Sequence, residues 1–146
     1  MVLRAPLVTL NPTILVDYTG VGRPVFDLFR EKQALKWAHG VVITGGRETT
    51  TNDVGWSVPK AELVSKLQAL LHAGLLKIQP KLRDADVLKR ELADFRVRYT
   101  EAGNATFNAR EGAHDDLVLA LALAVFGLSR PIPAQAGDLK VTWARR

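Results

Sequence analysis

Thr13-Ile14-Leu15-Val16-Asp17-Tyr18-Thr19-Gly20-Val21-Gly22-Arg23-Pro24 decides the fold. Thr13 to Val16 is β-branched and apolar and reads as a short buried strand, ended by the glycine-rich break after Asp17. Pro24 stands where the first turn of a helix begins. Val25, Leu28, Phe29 and Leu35 then follow at approximate helical spacing to about Trp37, and Gly40 is expected to stop the helix. Val41-Val42-Ile43 reads as a second buried strand, closed by Thr44-Gly45-Gly46. Strand, helix and strand within about 30 residues make one βαβ unit, normally parallel and right-handed.

Outward from that unit, Arg47 to Ser57 is polar and reads as a loop, with a short β excursion open at its three threonines. Pro59 is expected to start a second helix, with Leu63, Val64, Leu67, Leu70 and Leu71 on one face and Gly74 just past its end. Leu75 to Ile78 is a short strand or an extended link. A third helix is expected from about Asp84, with Leu88, Leu92 and Phe95 as its stripe. Arg96 to Thr100 alternates basic and apolar, breaks at Glu101-Ala102-Gly103-Asn104 and resumes at Ala105 to Ala109, which predicts an antiparallel hairpin. A last helix is expected from about His114 to Leu128. The fold class expected is α/β.

The chain has 146 residues, 47% of them apolar, which suits one domain with one sizeable core. It contains no cysteine, so disulfides and thiolate metal sites are excluded. Its longest apolar run, Leu117 to Phe126, is too short to span a bilayer and reads as a buried helix. Met1-Val2-Leu3-Arg4-Ala5-Pro6 shows no extended apolar leader, so a cytoplasmic protein is expected. A net charge of +5 favours polyanionic partners such as nucleic acid.

Two acidic features carry chemistry. Asp17 ends an apolar strand, and ligand sites in α/β sheets lie beyond the C-terminal strand ends. Asp115 and Asp116, preceded by His114, open the last helix. Magnesium takes oxygen ligands and keeps several waters, so carboxylates converging from separate elements suffice to hold it. Two such ions about 3.5–4 Å apart can activate a water and stabilise a leaving oxygen in phosphodiester hydrolysis. The plainer readings are a turn aspartate at Asp17, bonding the backbone of Thr19 or Gly20, and helix capping at Asp115 and Asp116.

Val16 to Val25, Thr44-Gly45-Gly46, Val58-Pro59-Lys60 and Gly112 to Ala122, with His114-Asp115-Asp116 inside it, resemble the nuclease domain of tailed-phage terminase large subunits. The resemblance runs from about Thr13 to Leu128. It implies an RNase H-like mixed sheet flanked by helices, and cleavage of double-stranded viral DNA with Mg2+ or Mn2+ during packaging in the bacterial cytoplasm. By position, Asp17 resembles the family's second acid. Asp116, with Asp115 beside it, resembles the third, and Asp116 is favoured as the direct ligand.

The family's first acid lies on an earlier strand. Sixteen residues precede Asp17, and none is Asp or Glu. Residues 1–130 therefore read as a partial RNase H-like domain lacking its first strands, with 131–146 an irregular basic tail. Nuclease activity is expected to be weak or absent in the chain alone. An apolar strand edge at Thr13 to Val16 would recruit a second copy or a strand-donating partner. Phage packaging components are the other expected partners.

Arg96 and Arg98, on one face of the hairpin, and Arg110 are candidate DNA-phosphate contacts. His114 could orient a phosphate or carry a proton. Lys60 reads as a surface lysine, and His39 and His72 as structural residues near helix ends. The alternatives are a non-catalytic prophage remnant or DNA-binding assembly module, and a phosphate- or nucleotide-binding α/β protein using Gly20-Val21-Gly22. Val25 stands where the dinucleotide fingerprint needs its third glycine.

Overall fold

The computed structural model describes residues 12–20, 22–31, 38–99, 105–109 and 115–130. In chain order the elements are β1 (Leu15–Asp17), α1 (Gly22–Glu31), β2 (His39–Thr44), β3 (Thr50–Asn52), β4 (Gly55–Pro59), α2 (Lys60–His72), α3 (Ala85–Asp94), β5 (Phe95–Tyr99), β6 (Ala105–Ala109) and α4 (Asp116–Leu128). Four strands form an open mixed sheet in the order β1-β2-β4-β3. β1, β2 and β4 run parallel, and β3 is antiparallel to β4. The expected hairpin is present as a separate ladder, with Phe95 opposite Ala109 and Tyr99 opposite Ala105. The fold class is α/β, with four helices among the described residues.

Alternation along the strands sends side chains to two faces, and helices cover both. Leu15, Val41, Ile43, Trp56 and Val58 pack with Leu63 and Leu67 of α2 and with Val118, Ala122, Leu123 and Phe126 of α4. Ile14, Val16, Tyr18 and Val54 pack with Phe26 and Phe29 of α1. Trp56 and Phe126 meet edge to face at 5.6 Å, joining the central strand to α4. α4 also lies close to β1: a Cβ at Gly127 would stand 2.8 Å from Leu15 Cδ1.

Two expectations about chain path are corrected. Gly40 does not stop a helix; it lies inside β2 opposite Val16 and Gly55. A Cβ there would meet Val54 and Tyr18 at 3.1–3.2 Å, so packing across the sheet explains the glycine. His39, expected near a helix end, is likewise in β2 and buried. Residues 32–37, where the first helix was expected to continue, lie outside the described residues.

The second correction concerns Arg47 to Ser57, which is not simply a loop: it contains β3 and most of β4, a strand with neighbours on both sides. Asn52 Oδ1 accepts the amides of Val54 and Gly55 at 3.0 and 2.9 Å and turns the chain between the two strands. Gly55, at φ 151°, then passes so close to Gly40 that a Cβ would lie 2.3 Å from its carbonyl oxygen. Pro59 is the last residue of β4, and helix α2 starts one residue later.

Other expectations hold. Leu63, Val64 and Leu67 are buried on α2. Gly74, at φ 64°, ends that helix with its amide on the Leu71 carbonyl, and the Leu75 amide reaches Leu70. Leu75 to Ile78 is a link and not a strand. No helix among the described residues is long and apolar enough to cross a membrane. Residues 131–146, the expected tail, lie outside the described residues.

Candidate functional site

Asp17 is the last residue of β1, and its Oδ1 accepts the Thr19 amide at 2.8 Å. The plainer reading of Asp17 as a turn aspartate is therefore realised. One amide does not exhaust a carboxylate, which has about four acceptor positions. Thr19 Oγ1 in turn accepts the Ile43 amide at 2.9 Å, so the turn is tied to β2. Gly20 takes the left-handed conformation at φ 55°. Gly22 starts α1 so close beneath the strand end that a Cβ would lie 2.0 Å from the Asp17 carbonyl oxygen. Close packing of α1 against β1 thus accounts for Gly22 without a bound phosphate.

The head of α4 is built differently from the expectation for an aspartate at a helix start. Asp115 occupies the N-cap position but makes no side-chain cap bond. Its Oδ2 instead lies 3.2 Å from Lys60 Nζ, and each of the two side chains is 23% exposed. Lys60 is the first residue of α2, directly after β4, so the ion pair ties α4 to the C-terminal end of a central strand. The same lysine stands 5.9 Å from the Phe95 ring centroid. It is a partly buried bridging residue rather than the surface lysine expected.

The cap itself comes from α3. Glu91 Oε2 accepts the amides of Leu117 and Val118 at 2.8 and 3.3 Å. These belong to the first turn, where helical amides have no partner within the helix. The first bond inside the helix runs from the Leu119 amide to the Asp115 carbonyl at 2.9 Å. Asp116 is exposed at the first helical position and has an interaction of its own.

A second charged cluster holds the far end of α4. Glu62 accepts a hydrogen bond from the Thr49 hydroxyl and pairs with Lys66 at 2.9 Å and Arg130 at 2.8 Å. Burial pushes the Glu62 carboxyl up. The hydrogen bonds from Thr49, Lys66 and Arg130, with the Lys66 charge, outweigh it and hold the pKa at about 2. Lys60 and Glu62 both lie in the first turn of α2, so that turn grips the residue before α4 and a residue after it.

β1, β2 and β4 are parallel, so Asp17, Thr44 and Pro59 all end at one rim of the sheet. They end at different heights. Asp17 is level with Val41 and, through it, with Trp56. Pro59 stands three residues beyond that level, about 10 Å along the strand and about 10 Å across two strand spacings. Among the described residues no three His, Asp or Glu side chains gather where they could hold a metal ion. Asp17 stands at the rim as the end of β1, and Asp115 is held towards the same rim by the lysine that follows β4.

Arg96 and Arg98 lie on β5, opposite Asn108 and Thr106. Their side chains, and all of Arg110 and His114, fall outside the described residues. Comparison of the chain with protein-family models, curated proteins and solved structures finds no match. Sequence reasoning missed Glu91 and the bridging role of Lys60. Glu91 is 26 residues from the amide it caps, and no local pattern marks so distant a cap.

Proposed function

We propose that this chain is a DNA-processing domain of the terminase nuclease type, RNase H-like in architecture, using the C-terminal rim of its parallel strands. The observation that carries the reading is the shared rim. Asp17 closes β1, and Asp115 is tied by Lys60 to the end of β4, which runs parallel to β1. Open α/β sheets bind ligands at that rim. The resembling motifs also fall at element junctions. Val16 to Val25 spans the β1–α1 turn, Thr44-Gly45-Gly46 ends β2, Val58-Pro59-Lys60 joins β4 to α2, and Asp115-Asp116 opens α4.

In this reading Asp17 and Asp116, helped by Asp115, are the chain's contribution to a Mg2+ or Mn2+ site, and the metal would supply an activated water. In this reading the chain alone cuts DNA weakly or not at all. Double-stranded DNA is the substrate, phage packaging components are the partners, and the bacterial cytoplasm is the setting. The outer edge of β1, which has one neighbour among the described strands, pairs with a second copy or a strand from another protein. Sedimentation of a stable monomer at high concentration would remove that partner. The net charge of +5 also suits a second reading, a DNA-binding assembly module or prophage remnant without cleavage.

Mn2+ broadening of amide resonances tests the metal reading. Signals near Asp17 and near Asp116 should broaden, with Asp17→Asn removing the first effect and Asp116→Asn the second. Asparagine at 17 retains an acceptor for the Thr19 amide, so the turn survives while the charge is lost. No broadening at either place, with no salt-dependent DNA binding, overturns the proposal. DNA binding without broadening selects the assembly module. Strong Mn2+-dependent plasmid cutting, lost in Asp17→Asn, would show a complete centre and overturn the weak-activity part.

A further inference from the structure

Asp115 sits where an aspartate normally caps its own helix, yet it makes no cap bond and faces Lys60 instead. Its backbone, at φ −129° and ψ 16°, is outside the extended region of a usual N-cap, and the cap is supplied from α3. Glu91 Oε2 already takes the amides of Leu117 and Val118, the donors an N-cap side chain would use. Two carboxylates competing for one pair of donors would also repel each other.

We propose that Glu91 is a positioning residue for the rim acids. By capping α4 in place of Asp115, it keeps the Asp115 carboxylate off its own helix and turned towards Lys60. Without Glu91 the first-turn amides are orphaned, and Asp115 moves to the extended backbone of a usual N-cap to take them, breaking the pair with Lys60. Glu91 thus decides between two states of Asp115, cap or rim acid. The functional meaning of this choice rests on the rim reading above, whereas the exchange of partners is a property of the fold alone.

Amide hydrogen exchange and a double-mutant cycle on the full chain test the proposal. The Leu117 amide has no acceptor within the helix, so its protection in the wild type reports Glu91 directly. Glu91→Ala should speed its exchange by about tenfold, with Leu123 and Phe126 unchanged. Glu91→Gln keeps an acceptor and should retain part of the protection. In the wild type, Lys60→Met and Asp115→Asn should shift the thermal midpoint non-additively. In the Glu91→Ala background the two shifts should add.

An unprotected Leu117 in the wild type overturns the proposal. So does a Lys60–Asp115 coupling that survives intact in both Glu91 variants. If Glu91→Ala does not fold, Glu91→Gln gives the same test at reduced size: part of the Leu117 protection and part of the Lys60–Asp115 coupling should be lost together, and a loss of protection with the coupling unchanged overturns the proposal. Failure of the rim reading looks different: the wild type shows no Mn2+ broadening while the exchange and coupling results stand.

Discussion

Lys60 Nζ lies 3.2 Å from Asp115 Oδ2, joining the first residue of α2 to the residue that precedes α4. The pair is partly shielded, so it should contribute more than a fully exposed one, yet still about 0.5–1 kcal/mol. Urea denaturation of Lys60→Met, Asp115→Asn and the double variant should give a coupling of that size. Additive effects would mean that the pair holds nothing together.

The turn after β1 offers a sharper contrast. Gly22→Ala places a Cβ within 2.0 Å of the Asp17 carbonyl oxygen, so backbone must move. A loss of about 2 kcal/mol or more is expected. Gly20 has open space around it and only its left-handed φ of 55° to defend. Gly20→Ala should therefore lose about 1 kcal/mol. Equal losses at the two positions would contradict the close packing of α1 beneath the strand end.

Gly127 and Leu15 form a second tight contact, and here the clashing atom is the end of a side chain. Gly127→Ala should destabilise by about 1 kcal/mol through overpacking. Combined with Leu15→Val, which shortens that side chain, the loss should be smaller than the sum of the two single changes. Strict additivity would place α4 farther from β1.

Acid stability should carry the mark of Glu62. Its carboxyl is held at about 2 in the folded chain, against 4.5 ordinarily. A carboxyl with a depressed folded pKa contributes stability that is fully present above the ordinary value. That contribution is lost as pH falls from 4.5 towards 2, when the folded state must take up the proton. Thermal midpoints across this window should fall less steeply for Glu62→Gln than for the wild type. At pH 7 the variant should be the less stable of the two, because Lys66 and Arg130 lose their charged partner.

The periodic parts of the fold are legible in the sequence. Leu63, Val64 and Leu67 mark the buried face of α2, Gly74 its end, and the interrupted alternation from Arg96 to Ala109 the hairpin. Each is a local pattern, and local hydrogen bonding and burial act on it directly. β4 was not legible: Gly55-Trp56-Ser57-Val58-Pro59 looks polar and broken, and becomes a central strand through Gly55 packing on Gly40 and Trp56 on Phe126. Gly40 read as a helix stop for the same reason, since its neighbours Val54 and Tyr18 arrive from elsewhere in the chain.

By itself the sequence determined that the chain is α/β, that Asp17 ends a strand and that Asp115 and Asp116 open an apolar helix. Short-range spacing and turn chemistry suffice for such statements. Only the tertiary structure decided what Asp115 does in the folded chain. Asp115 turns to Lys60 and Glu91 takes over the helix cap, whereas the bond that Asp17 accepts from the Thr19 amide is the local one its neighbours predict. A carboxylate accepts whichever donors the fold brings within hydrogen-bonding reach. The decisive donors for Asp115 and Glu91 come from residues far away in sequence, so no reading of neighbours could rank them.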